Sequence, residues 1–214
     1  MSRTAIPTYT TSQVIDAAHA NTYWSDNEAA HWSAISALAG SFELIEKITL
    51  PSAAQFRFLD IPQTYRHLRL YWHLKHNSPS NEYIPIHIKF NEFGGTGGGA
   101  YDMTILRADD AGEVVHIPSG TNLTVGWTPT LAHSNLWANG FLTIYDYAGS
   151  NRKTADMINA CKRGTTTDKI DIEKGVSIWS LSYAVVTITG RTQDSVYSIT
   201  DFTTGSIMWL YGLL

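Results

Sequence analysis

From Leu44 onward the chain places apolar residues at every second position, in short runs broken by Gly, Ser, Thr, Asn and Pro. A period of two sends alternate side chains to opposite faces of an extended strand. Each run can therefore bury one face and wet the other. In Leu68–Lys75, Leu68, Leu70, Trp72 and Leu74 alternate with Arg69, Tyr71, His73 and Lys75. In Ile84–Phe90, Ile84, Ile86, Ile88 and Phe90 alternate with Pro85, His87 and Lys89. Pro85 lacks an N–H for the ladder, so it predicts an edge strand or a bulge. Phe56 and Phe58 flank Arg57, and Leu44, Ile48 and Leu50 open the region. Further strands are predicted at Met103–Arg107, Ala138–Tyr147, Asp156–Lys162, Val176–Thr189 and Ser206–Tyr211. About eight short strands with turn signals between them predict a mainly β chain, an antiparallel β-sandwich of jelly-roll type over residues 41–214.

The first forty residues follow a different rule. Thr10-x-x-Gln13 and Ser25-x-x-Glu28 are capping boxes, each at the start of a helical pattern. Ser12–Asn21 is Ala-rich and reads as a short helix. Trp24, His31, Ile35 and Leu38 fall on one face of a second helix over Asp26–Ala39, and Gly40 is placed to end it. Residues 1–40 are thus expected to be a short helical segment that anchors the sandwich. Trp24 and Trp32 stand eight apart on it, suited either to packing on the sandwich or to meeting copies across an oligomer axis.

Composition excludes several functions. Only 16% of residues are charged, against an average near ~25%. Such a chain solvates itself with small polar residues or covers its surface with neighbours. Seven Trp and eleven Tyr suit either a β core or an interface. The net charge of −4 and the lack of a basic stripe argue against nucleic acid. No run of about 20 apolar residues is present to span a bilayer. The opening residues lack the apolar core of a secretory signal, so none is expected. A single cysteine, Cys161, rules out an internal disulfide and reads as a small buried apolar residue or an inert loop thiol.

The candidate chemistries are weak. His73 and His76 are three apart on a strand and so face opposite ways, which is wrong for a shared metal. Asp109 and Asp110 have no EF-hand context. Gly94–Gly99 lacks the Lys and the following helix of a phosphate loop. There is no G-x-S-x-G. Glycosidases need two carboxylates flanking a bond, and Asp102, Asp109, Asp110, Glu113, Asp146, Asp168, Asp171 and Glu173 have no distinguishing context. No enzyme, cofactor or metal is expected. Flat aromatic rings suit sugars, which makes Tyr71, Tyr101, Trp127 and Trp137 candidate glycan contacts, or equally a subunit interface.

Several stretches resemble one family of tailed-phage virion proteins. Asn21–Asn27 (NTYWSDN) is similar to an N-terminal "LN-x-x-W/L-R-D-N" element, with Ser25 where Arg is usual. Phe58–Leu70 (FLDIPQTYRHLRL) resembles the "F-x-x-IPQTY-x-H-L-x-L" signature of tail-fibre or head-fibre proteins. Ile88–Glu92 (IKFNE), Phe141–Ser150 (FLTIYDYAGS) and Gly205–Leu213 (GSIMWLYGL) follow in the same order. The resemblance spans roughly residues 10–214 and implies a structural, oligomeric virion component. A homotrimer in the tail (fibre, tip or baseplate) is the first expectation, with other virion proteins as partners and Tyr23, Trp24, Asn27, Trp32 and Ile35 as assembly residues. Capsid decoration or head fibre is the alternative, as is a receptor module that binds a host surface glycan. Within the signature, Tyr65 is expected to act as a corner residue, its hydroxyl bonded to backbone, and His67 to hydrogen-bond in the same loop.

Overall fold

The computed structural model of the protein describes residues 42–77, 83–91, 101–108, 114–129, 136–162, 170–193 and 199–214. The predicted helices and the assembly residues Tyr23, Trp24, Asn27, Trp32 and Ile35 lie outside them, as do Gly94–Gly99 and Asp109–Asp110. The chain divides into two compact units, Met1–Glu43 and Leu44–Leu214. The second holds nearly all of the described residues. They form antiparallel strands and no helix.

The strands are β1 (Phe42–Thr49), β2 (Phe56–Phe58), β3 (His67–Leu74), β4 (Tyr83–Phe90), β5 (Tyr101–Ala108), β6 (Val114–Gly120) and β7 (Leu123–Pro129). They continue with β8 (Ala138–Tyr145), β9 (Lys153–Lys162), β10 (Ile170–Trp179), β11 (Ile188–Gln193), β12 (Ile199–Thr200) and β13 (Ile207–Leu213). An eight-stranded sheet runs β1-β13-β3-β8-β9-β10-β5-β6. A five-stranded sheet runs β12-β11-β4-β7, with β2 also paired to β11. The chain crosses between the sheets repeatedly, as from β3 to β4 to β5 and from β10 to β11.

The two-residue period builds this core as expected. On β3, Leu68, Leu70, Trp72 and Leu74 are buried and their alternates half-buried. Ile84, Ile86, Ile88 and Phe90 on β4 are buried likewise. Between the sheets all of these but Ile84 join Met103, Leu123, Val125, Leu142, Met157, Met208 and Leu210 in one cluster. Apolar area removed from water at about 25 cal/mol per Å² drives this assembly. Pro85 does mark a bulge, because the β4–β7 register shifts between Pro85 and His87. The strand predicted over Val176–Thr189 is instead the end of β10 and the start of β11, separated by the irregular Ser180–Thr187.

Candidate functional site

Three places in the sandwich bring together residues with more than a packing role. The first is a knot at one end, built from the residues that carry the family resemblance. Gln63 Nε2 donates to the Ile61 carbonyl at 2.7 Å and to the Val185 carbonyl at 3.1 Å. The Tyr147 hydroxyl donates to the Pro62 carbonyl. Asn91 holds the facing segment: its Oδ1 accepts from the Val186 and Thr187 N–H groups at 2.8 and 3.1 Å, and its Nδ2 donates to Ala184 at 2.7 Å. The Tyr65 ring lies so close to Gly212 that a Cβ there would sit 2.2 Å from its Cγ. Residues of IPQTY, IKFNE and YDYAGS, remote in sequence, thus meet around Ala184–Thr187, and LYGL packs against the tyrosine of IPQTY. The Tyr147 hydroxyl ties this loop to Pro62, a task the sequence does not assign to that tyrosine. His67 does not bond within its own loop. Its Nδ1 accepts from the Asp146 N–H across the β3–β8 pair at 3.1 Å.

The second is a polar row inside the core. Trp72, Gly140, Asn159, Glu173 and Arg107 stand in one register across β3, β8, β9, β10 and β5. Trp72 Nε1 donates to Asn159 Oδ1 at 3.0 Å, and Asn159 Nδ2 donates to Glu173 Oε2 at 2.9 Å. Arg107 Nε reaches Glu173 Oε1 at 3.2 Å. The facing sheet closes the row through Trp127, whose N–H donates to Glu173 at 3.2 Å and whose carbonyl accepts from Asn159 at 3.0 Å. Its indole lies 3.9 Å from the Arg107 guanidinium. Two glycines make the room. Gly140 leaves space for the Trp72 indole, and Gly126, at φ +125°, lets β7 approach Asn159. Burial pushes the Glu173 carboxyl above the usual range, while Asn159, Arg107 and the Trp127 N–H pull it back. Glu173 is fully buried, and the nearby gap lined by Met103, Met157 and Gly175 is too narrow for a water molecule. The row is a clamp between the two sheets.

The third is the outer face of the large sheet. Trp209, Tyr71, Phe141 and Ile158 stand side by side across β13, β3, β8 and β9. Tyr71 packs edge-on to Tyr211 at 5.6 Å and tilted on Phe141 at 5.8 Å. Trp137 stacks on His73 at 4.5 Å, and His73 Nδ1 lies 2.7 Å from Asn139 Oδ1. Cations cover much of this half. Lys47 lies over Trp209 at 5.8 Å, Arg69 over Phe141 at 5.0 Å, and Lys75 over Trp137 at 5.8 Å.

Of the four candidate glycan contacts, Tyr71 and Trp137 share this face, one next to His73 along β3 and the other stacked on it. Trp127 lies elsewhere, over Arg107. Tyr101 is a correction: it is fully buried, its hydroxyl accepts from the Phe90 N–H at 2.7 Å, and no sugar can reach its ring. Sequence reading missed Asn159, Arg107 and the placement of Glu173. The available signal was that β10 alternates the wrong way, with Asp171, Glu173 and Ser177 at positions that turn out to be inward.

Among the described residues no group of three or more His, Cys, Asp or Glu is placed to hold a metal. No helix among them is long and apolar enough to cross a membrane. No protein-family model matches the chain, and no curated protein matches it.

Proposed function

We propose that this chain is a non-enzymatic structural component of a tailed-phage virion, a tail-associated oligomer of fibre, tip or baseplate. The observation that carries the reading is the knot. Resemblance to the virion family rests on short elements spread from Phe58 to Leu213, and Gln63, Tyr65, Asn91, Tyr147 and Gly212 each have a contact there that depends on their side chain, or its absence. Elements that share one structural task fit a common fold better than chance matches do. A jelly-roll-like sandwich whose chain crosses between sheets, carrying a low charge fraction, suits a subunit that works by burying surface against its neighbours. The expected assembly is a homotrimer attached to other virion proteins through residues 1–40.

Quantitative mass spectrometry of purified particles that encode the chain tests this. The chain is expected in the virion at multiples of three or six, up to a few dozen copies. Hundreds of copies would move it to the capsid as a decoration or head-fibre protein. Absence from particles overturns the reading.

A host-glycan receptor is the second reading, favoured by Tyr71, Tyr211 and the His73–Trp137 stack on one surface beside Asn139 and Arg69. A glycan array with no hits removes it.

A further inference from the structure

We propose that the outer face of the small sheet binds an oxyanion, a phosphate or carboxylate group seated between Arg191, Lys89 and His87. The site lies on the other sheet from Tyr71, and the inference stands apart from the virion reading. Its basis is the charge of that sheet. The chain as a whole carries −4. Yet β2, β4, β7, β11 and β12 contain no Asp or Glu, while they contain Arg57, His87, Lys89 and Arg191. All four stand at outward positions, alternating with the buried Phe56, Phe58, Ile86, Ile88, Phe90 and Thr192.

The register brings three of them together. Arg191 is the direct partner of His87, and Lys89 follows His87 on the same face of β4, about 7 Å along the strand. Like charges this close across a strand pair cost stability. The charges of Arg191 and Lys89 both oppose protonation of His87, and that of Arg191 opposes protonation of Lys89. Among the described residues no carboxylate offsets them at His87 or Lys89. Hydrogen bonds hold the heads in place. Arg191 Nη2 donates to Asn122 Oδ1 at 2.9 Å. Asn122 precedes β7, on the far side of β4, so the guanidinium crosses β4 from the His87 row towards Lys89. His87 Nδ1 and Thr124 Oγ1 lie 3.2 Å apart, which leaves Nε2 as the ring nitrogen for a ligand. A planar guanidinium, an ammonium and an imidazole N–H are donors suited to phosphate and carboxylate oxygens. Two rows about 7 Å apart suit one anionic group and are too short for a nucleic-acid backbone track.

Isothermal titration calorimetry of the full chain at fixed low ionic strength tests this. One arm uses inorganic phosphate, the other oligogalacturonate, a sugar chain that carries carboxylates. Saturable binding is expected in at least one arm. Phosphate alone assigns the site to free or esterified phosphate, and oligogalacturonate alone assigns it to an acidic polysaccharide. Lys89→Gln and Arg191→Gln are each expected to keep the wild-type circular dichroism and weaken binding about tenfold, whereas Lys89→Arg retains it. A bound anion also favours the protonated imidazole, so the NMR titration midpoint of His87 should rise from about 4 by about one unit. No binding in either arm overturns the proposal. So does binding that K89Q and R191Q leave unchanged, or that does not move the His87 midpoint.

Discussion

Position 212 has to lack a side chain because the Tyr65 ring occupies the space a methyl would need. Gly212→Ala is therefore expected to destabilise the fold by about 3 kcal/mol through overpacking. Tyr65→Ala alone is costly too, but the two costs should not add in the double variant, since its small side chain vacates the contested space. A double-mutant cycle in urea checks this, and additive losses would contradict the contact. At the same knot, Tyr147→Phe removes the donor to the Pro62 carbonyl and is expected to cost about 1–2 kcal/mol. The sequence shows these residues as a motif but does not assign their tasks. Only the fold brings the Tyr147 hydroxyl to the Pro62 carbonyl, 85 residues away in sequence. Tyr101, a flat ring suited to a sugar by type alone, begins a strand whose first side chain points inward.

Strands with clean alternation are legible, and β3, β4, β5 and β13 are found close to their predicted bounds. β7 is not, because Leu123, Thr124, Val125 and Gly126 are all buried and the bulge at Gly126 erases the period. β10 and β11 merge in the sequence because Leu181, Val185 and Val186 continue an apolar run through an irregular link. The inter-sheet clamp was illegible for a different reason: it depends on register between five strands, which no local pattern encodes. Its energetics make a distinct prediction. Glu173→Leu leaves the Arg107 guanidinium buried without its carboxylate and is expected to cost about 3–5 kcal/mol. Arg107→Met leaves the carboxylate in the same position. The double variant R107M/E173L replaces both charges with apolar groups and should lose less than either single variant. Urea midpoints measured for the three variants decide the matter. A double variant that loses the sum of the two would show that the two charges act independently and contradict the clamp.

Buried histidines give the whole molecule a pH dependence. His76 and His87 are both lowered from 6.5 to about 4, His76 by burial and then the Lys75 charge, His87 by burial and then Arg191 and Lys89. Between those two values the unfolded chain takes up protons that the folded chain does not. Stability is therefore full above pH 6.5 and falls as pH drops towards 4. The loss from fully buried His76 is of order 3 kcal/mol, and the partly buried His87 adds to it. Denaturation midpoints followed from neutrality down to a pH of about 4.5 should show this slope, flattened by His76→Asn. A flat profile in wild type would mean that the rings titrate alike in both states.

The position of β13 also sets an order of events during synthesis. Among the described strands, the one latest in sequence lies between β3 and β1, and β1, the earliest, has no other neighbour in the sheet. While Ile207–Leu213 are still in the ribosome tunnel, β1 has nothing to pair with and β3 shows an open edge, the kind of edge that templates aggregation. The large sheet closes only when the C-terminal strand emerges, so a nascent chain stalled before Ile207 would need a chaperone to stay soluble.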